Sequence, residues 1–300
     1  MFVFLRRIMI QRHRIRSSIH RVDYAGVEER IEYISHRISR RVYGSPFPHH
    51  CWHLDGNHRL IRWGLVVHCA IDGFSRACTF INCSNNNRST TVMQHFLVAC
   101  EEFCVPWRVR TDYGGENQLI WEGMLELATE NNPNPVLVGP SVHNQRVERF
   151  NRDINTHVRE RYGHMFYSFE RRGLLDIENP IHVAALHYVY MPRINAVLSA
   201  LKRCHNHHPI STEHNLSPMQ LIARNISLYE CPSHEDIVES DRTIDGQSLP
   251  QNPVSVDVNP PDLQLPNIDE ILDVDVLEDD GVDGERLFTQ VRDRLLALGQ

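Results

Sequence analysis

Three carboxylates are the residues of this chain whose types and positions are best suited to chemistry. Asp55 lies within a predicted strand, Asp112 follows the end of another strand, and Glu148 opens a predicted helix, with 35 residues between Asp112 and Glu148. Separate elements can bring three negative oxygen ligands to one point, and hard divalent cations prefer such ligands. The trio therefore indicates a metal site that could act on phosphodiesters.

The elements that position Asp55 begin with a predicted hairpin. Residues 63–71 form a short apolar run rich in β-branched side chains and bounded by glycine-bearing turns, which predicts a buried strand returning from the strand of Asp55. A third strand is predicted over 77–83. Apolar residues then recur at helical spacing over 89–104, so we expect a helix that faces the core.

Asp112 is expected at the carboxyl end of a strand. Residues 107–111 have strand character, and the glycines at 114 and 115 turn the chain directly afterwards. In open α/β sheets, functional sites are usually found outside the carboxyl ends of the strands.

The segment around Glu148 predicts an amphipathic helix with two distinct faces. At 100° per residue, one band of apolar side chains comprises Val147, Phe150, Ile154, Val158 and Tyr162. Beside it runs what we call the polar stripe, formed by Glu148, Arg152, Asn155 and Arg159. Because the guanidinium fork donates paired hydrogen bonds to phosphate, the stripe is a candidate DNA-binding surface.

The motifs that contain these carboxylates resemble those of a known family. The string WHLD ends at Asp55, DYGGEN begins at Asp112, and HNQRVER surrounds Glu148. Together they resemble the catalytic core of retroviral-type integrases and related transposases, with the closest likeness to the integrase cores of eukaryotic transposon-derived proteins. The resemblance covers residues 45–225, because the strings NHHP at 206–209 and LSPMQ at 216–220 also resemble the end of such cores.

The resemblance implies a ribonuclease-H-like α/β fold, in which helices flank a mixed five-stranded sheet. It also implies DNA as substrate, Mg²⁺ or Mn²⁺ as cofactor with two ions expected, several copies of the chain acting together on DNA, and a nuclear location. Asp55 would bridge the ions, with Asp112 and Glu148 each completing one side. One ion would activate a water or a DNA 3′-hydroxyl, and the other would stabilise the leaving oxygen.

Structural readings of the same residues remain alternatives. A single aspartate after a strand is commonly a turn former, and a glutamate in a first helical turn commonly complements the helix dipole. Asp72 precedes glycine and is expected to be a turn residue. Glu116 and Asn117 are expected to open the next helix. Asn144 is expected to shape the loop before Glu148, with contact to DNA as its alternative role.

Charge divides the chain into unlike parts. Residues 1–50 hold ten arginines and four acids, whereas the chain from residue 230 onward holds four bases and 18 acids. We expect residues 1–44 to be a basic helical segment, a remnant of a DNA-binding region that could bind phosphates. The stretch 226–283, rich in Pro, Asp and Glu, is predicted to be a disordered linker, followed by a short amphipathic helix over 284–300 that could dock on the core or on a partner.

Composition narrows the class of protein further. With 41% apolar residues over 300 positions, the chain can bury one sizeable core. No stretch reaches the roughly 18 apolar residues of a membrane span, so we expect no membrane partner. Two functions stay open: a metal-dependent recombinase that hydrolyses DNA and transfers strands, favoured by the complete set of carboxylates, and a non-catalytic DNA- or chromatin-binding protein that kept the fold, favoured by the acidic extension.

Overall fold

The chain forms two compact units, Met1–Tyr43 and Gly44–Gln300. The computed structural model describes residues 2–5, 8–27, 45–139, 145–230, 249–250, 253, 255–261 and 274–298.

The first unit begins with strands, although helix was expected there. Strand β1 (Phe2–Leu5) pairs antiparallel with strand β2 (Ile8–Gln11), and helix α1 (Arg12–Val22) follows. The helical prediction is wrong for β1 and β2 because aromatic and β-branched residues favour strands. Helix α1 contains the arginines at 12, 14, 16 and 21. The arginines at 30, 37, 40 and 41 lie outside the described residues.

The larger unit is built on a five-stranded sheet with the spatial order β5-β4-β3-β6-β7. Strand β4 is antiparallel to both β3 and β5, whereas β6 is parallel to both β3 and β7. This mixed sheet, flanked by helices, confirms the predicted fold class. The strands are β3 (Cys51–Asn57), β4 (Val66–Asp72), β5 (Cys78–Ser84), β6 (Arg108–Thr111) and β7 (Val136–Val138).

Strand β4 shows why its sequence is a continuous apolar run. All seven of its residues are buried, because β3 and β5 pair with its edges and helices cover both faces of the sheet. A strand buried on both faces has no solvent side on which to alternate polar residues.

Helices cover both faces of the sheet. Helix α6 (Pro180–His207) is capped by Asn179, whose side chain accepts a hydrogen bond from the backbone N–H of Ile181. The helix continues through Pro192, although a proline inside a helix commonly causes a kink or a break. The helices are α2 (Ser89–Glu102), α3 (Gln118–Glu126), α4 (Gln145–Ile154), α5 (His164–Arg171), α6 (Pro180–His207), α7 (Pro218–Glu230) and α8 (Glu285–Leu298). A π-helical segment, Asn155–Gly163, joins α4 to α5. No helix among the described residues is long and apolar enough to span a membrane.

Two apolar cores lie on opposite faces of the sheet. One is formed with α2 and α3 and includes Trp52, Phe96 and Ile120. The other is formed with α4, α5, α6 and α8. In it, Phe288 of α8 stacks on Phe169 of α5 with ring centroids 5.4 Å apart. The terminal helix therefore docks on the core, which was one of the two outcomes expected.

Parts of the predicted linker also contact the folded unit. Residues 226–230 belong to α7, and Val258 is only 7% exposed. Val274 and Val276 pack against the larger core. The average composition of 226–283 conceals these anchors, because a few valines among many acids barely change the mean. The intervening residues 231–248 and 262–273 lie outside the described part of the chain.

Candidate active site

Asp55 lies in the central strand of the sheet and is half-buried. Its Oδ2 accepts a 2.6 Å hydrogen bond from the side-chain amide of Asn151 on α4, and its Oδ1 accepts a 3.0 Å bond from the backbone N–H of Gly56. Asn57 in turn donates to Oδ1 of Asn151 over 3.1 Å. The carboxylate is thus held in one orientation from both the strand and the helix.

Asp112 follows directly after β6, the parallel neighbour of β3. The register pairs Cys51 with Arg108 and His53 with Arg110, and Asp55 and Asp112 each follow the last pair by two residues. Neighbouring strands lie about 4.8 Å apart, so the two aspartates come from adjacent parts of the sheet.

Hydrogen bonds fix the end of β6 and the turn that follows it. The indole N–H of Trp121 donates to Oγ1 of Thr111 over 2.9 Å. Oδ1 of Asp112 accepts a 3.1 Å bond from the backbone N–H of Gly114. The position of the second aspartate is therefore set by backbone and buried side chains.

Glu148 lies in the first turn of α4 and is exposed. Asn151, one turn later on the same helix, makes the hydrogen bond to Asp55, so the helix that carries Glu148 is anchored to the strand that carries Asp55. Asn144, predicted to shape the loop before Glu148 or to contact DNA, lies outside the described residues, as do residues 140–143.

The pKa of Asp55 responds to the charges of both other carboxylates. Burial and, to a smaller extent, the negative charge of Asp112 raise the pKa of Asp55 to about 7. The hydrogen bonds from Gly56 and Asn151 oppose this shift, and Glu148 adds a smaller rise. Among the residues that the structure describes, no three His, Cys, Asp or Glu side chains are grouped closely enough to hold a metal ion.

Glu116 and Asn117 open the next helix as predicted, because their turn runs directly into α3, but Glu116 is also a neighbour of the candidate site. It lies in a single 3-10 turn, Gly115–Asn117, and is buried. Burial raises its pKa, as does the charge of Asp112. The side-chain amide of Asn87 donates to its Oε2 over 3.4 Å. A fourth carboxylate therefore stands beside the candidate site, and its signal in the sequence was its place four residues after Asp112 in DYGGEN.

His58 is a further neighbour that sequence reasoning missed. Burial lowers its pKa, although the charge of Asp112 acts in the opposite direction. A Cβ atom on Gly56 would lie 3.0 Å from Cε1 of His58, so a side chain at position 56 would require the imidazole ring to shift. The three-residue spacing from Asp55 was its only signal.

The apolar band predicted for the helix of Glu148 is confirmed. Its five residues are at most 4% exposed, even though the helix passes into the π-helical segment at Asn155. On the polar stripe, Arg152 and Arg159 are exposed, whereas Asn155 is half-buried and accepts a 3.2 Å hydrogen bond from Asn57. The two arginines are thus available at the surface.

The order and pairing of the strands define the larger unit as a ribonuclease-H-like α/β domain. The family model described as integrase core domain matches residues 42–234, well over half of the chain. The chain belongs to the integrase core domain family.

Solved structures resemble this chain at low identity. The HTLV-2 integrase catalytic core domain in complex with magnesium, in its trimeric form, is 17% identical over 59% of this chain and 99% of that one, with a TM-score of 0.39. Its dimeric form is 15% identical over 60% and 99%, with a TM-score of 0.37. Integrase in the simian T-cell lymphotropic virus intasome with PP2A regulatory subunit B56 gamma is 17% identical over 59% and 55%, with a TM-score of 0.40. No curated protein sequence matches the chain significantly.

Proposed function

We propose that this chain is a metal-dependent DNA recombinase that hydrolyses phosphodiesters and transfers DNA strands. The observation that carries the proposal is that Asp55 lies on β3 and Asp112 directly follows β6, its parallel neighbour, with the pKa of Asp55 raised to about 7 by burial and by neighbouring negative charge. A carboxylate whose pKa is perturbed by burial together with a charged neighbour is typical of functional sites.

The donor set fits a hard divalent cation. Asp55, Asp112 and Glu148 offer oxygen ligands only, which is the preference of Mg²⁺ and Mn²⁺. When bound, such ions would activate the attacking oxygen and neutralise charge on the leaving oxygen. We propose that two ions would be held by Asp55, Asp112 and Glu148.

Hydrogen bonds from neighbouring residues orient the carboxylates of Asp55 and Asp112. The amide of Asn151 donates to Oδ2 of Asp55, and the backbone N–H of Gly114 donates to Oδ1 of Asp112. Each bond fixes the orientation of its carboxylate. Hydrogen bonds from neighbouring groups to the ligands of a metal ion orient those ligands. Arg152 and Arg159, exposed along the same helix as Glu148, would bind the phosphate backbone of DNA and set its register.

The proposed substrate also defines the setting in which the protein acts. DNA strand transfer joins two duplexes, so we propose that several copies of the chain assemble on DNA and that the protein acts in the nucleus. We propose that Asn144 contacts the DNA in such a complex.

The test is a nicking and strand-transfer assay on short duplexes with Mg²⁺ or Mn²⁺. The full chain should cleave in a metal-dependent manner, and Asp112→Asn should abolish cleavage while leaving DNA binding in place. Asp153→Asn is the matched control, because Asp153 is exposed on α4. DNA binding without cleavage by the full chain would instead identify a non-catalytic DNA-binding protein.

A further inference from the structure

The acidic tail crosses the edge of the sheet at the candidate active site. We call residues 255–259 the tail strap. The backbone N–H of Asn87 donates to the carbonyl of Val258 over 3.4 Å, and the Asn87 side-chain amide donates to the carbonyl of Val256 over 3.2 Å. Arg88 donates to the side-chain oxygen of Asn259 over 3.3 Å. The strap therefore lies along the loop that joins β5 to α2.

The strap also touches the turn that follows Asp112. A Cβ atom placed on Gly115 would lie 3.3 Å from both Cβ and the backbone nitrogen of Ser255, and 3.4 Å from the carbonyl oxygen of Pro253. The two backbones are thus in direct contact. A residue with a side chain at position 115 would press against the strap.

Asn87 joins the strap to the candidate site. The same amide nitrogen that donates to Val256 also donates to Oε2 of Glu116. Its Oδ1 accepts a 2.8 Å bond from Nε2 of His68 on β4. One buried side chain therefore links the sheet, the turn after Asp112 and the tail.

The strap is anchored weakly compared with the terminal helix. Val258 is its one buried side chain among the described residues, and its three hydrogen bonds are at the long end of the usual range. Helix α8, in contrast, buries Leu287, Phe288, Val291 and Leu295. Segments with few buried contacts open locally while the rest of the fold stays intact.

We propose that Asn87, Arg88 and Gly115 form a docking surface for the tail strap, and that DNA entering the candidate site must displace the strap. This inference rests on the proposed function. The strap contacts Gly115, three residues after Asp112, so it occupies space beside that carboxylate. The strap carries Asp257, and the chain from residue 230 onward holds 18 acids and four bases, so the tail has the same sign of charge as the DNA phosphates. The competition is steric and electrostatic.

The test compares two variants of the full chain, Val258→Asp and Val256→Asp. Both add one negative charge to the strap, but Val258 is buried and Val256 is 52% exposed. Releasing the strap should remove its competition, so Val258→Asp should bind duplex DNA roughly three- to ten-fold more tightly than Val256→Asp at low salt. Hydrogen exchange at the backbone amide of Asn87, which donates to Val258, should be faster in Val258→Asp alone.

Each other outcome overturns a different claim. Unchanged exchange at Asn87 in Val258→Asp would overturn the docking surface. Faster exchange with equal DNA affinity for the two variants would overturn the competition with DNA. If Val258→Asp binds more tightly as expected but no variant nicks DNA with Mn²⁺, the docking surface stands and the proposed catalysis falls.

Discussion

The side-chain amide of Asn151 donates a 2.6 Å hydrogen bond to Oδ2 of Asp55, which joins the helix of Glu148 to the central strand. The partner of this bond is a carboxylate whose pKa is raised to about 7 by burial and by the charge of Asp112. The bond opposes that shift, so it favours the charged form of the carboxylate and fixes its orientation.

Replacing Asn151 by alanine should therefore disturb metal use more than folding. Without the amide, Asp55 loses its orientation, and we expect metal-dependent nicking to fall by about 10- to 100-fold, with a higher metal concentration needed for half the maximal rate. Asp153→Ala is the control, because Asp153 is exposed on the same helix and lies outside the polar stripe. Equal losses in both variants would mean that Asn151 has only a structural role.

Replacing Arg152 and Arg159 together by alanine should weaken DNA binding and its dependence on salt. Each lost phosphate contact reduces the number of counterions released on binding. The slope of log affinity against log salt should therefore become shallower by about 1.8 for the pair. The measurement is a titration of duplex DNA at several salt concentrations. Arg171→Ala, an exposed arginine on α5, should leave the slope unchanged. A slope unaffected by the double substitution would place the DNA elsewhere.

The terminal helix is expected to be part of the folding unit. Phe288 is fully buried and stacks on Phe169, so Phe288→Ala should lower the free energy of unfolding by about 3 to 5 kcal/mol. Leu298→Ala, at an exposed position of the same helix, should change it by less than about 0.5 kcal/mol. Denaturant unfolding of both variants checks this. A small effect of Phe288→Ala would show that α8 folds separately from the core.

Buried histidines should make the fold sensitive to acid. Burial lowers the pKa of His68 to about 4 and that of His50 to about 3. The unfolded chain then binds more protons than the folded one below the ordinary histidine pKa of about 6.5, so the free energy of unfolding should fall as the pH drops from there toward 4. His68→Gln should make this decline shallower, whereas exposed His214→Gln should not. An unchanged decline in His68→Gln would show that His68 becomes protonated in the folded protein.

The sequence predicted the elements of the site better than their connections. The strands around Asp55 and before Asp112, and the buried band beside Glu148, follow from local apolar patterns and were confirmed. The pairing of β3 with β6, which brings Asp55 and Asp112 to adjacent parts of the sheet, joins stretches that are distant in the chain, so no local pattern encodes it. Asn151 was within reach of prediction, because its position three residues after Glu148 places it on a neighbouring part of the helix surface.

The tail was harder to predict because its anchors are sparse. Val258 and the valines at 274 and 276 are separated by acidic and proline-rich residues, so the mean composition predicts disorder. Contacts of single side chains with a distant surface leave no periodic signal in the sequence.

The central claim is that Asp55, Asp112 and Glu148 act as one unit on DNA. The most direct measurement is the rate of Mn²⁺-dependent nicking of a short duplex by Asp55→Asn, Asp112→Asn, Glu148→Gln and the triple variant, each at equal DNA occupancy. Residues that act as a unit are strongly non-additive, so each single variant should lose nearly as much activity as the triple variant. Nicking that survives in any single variant at close to the wild-type rate would contradict the account.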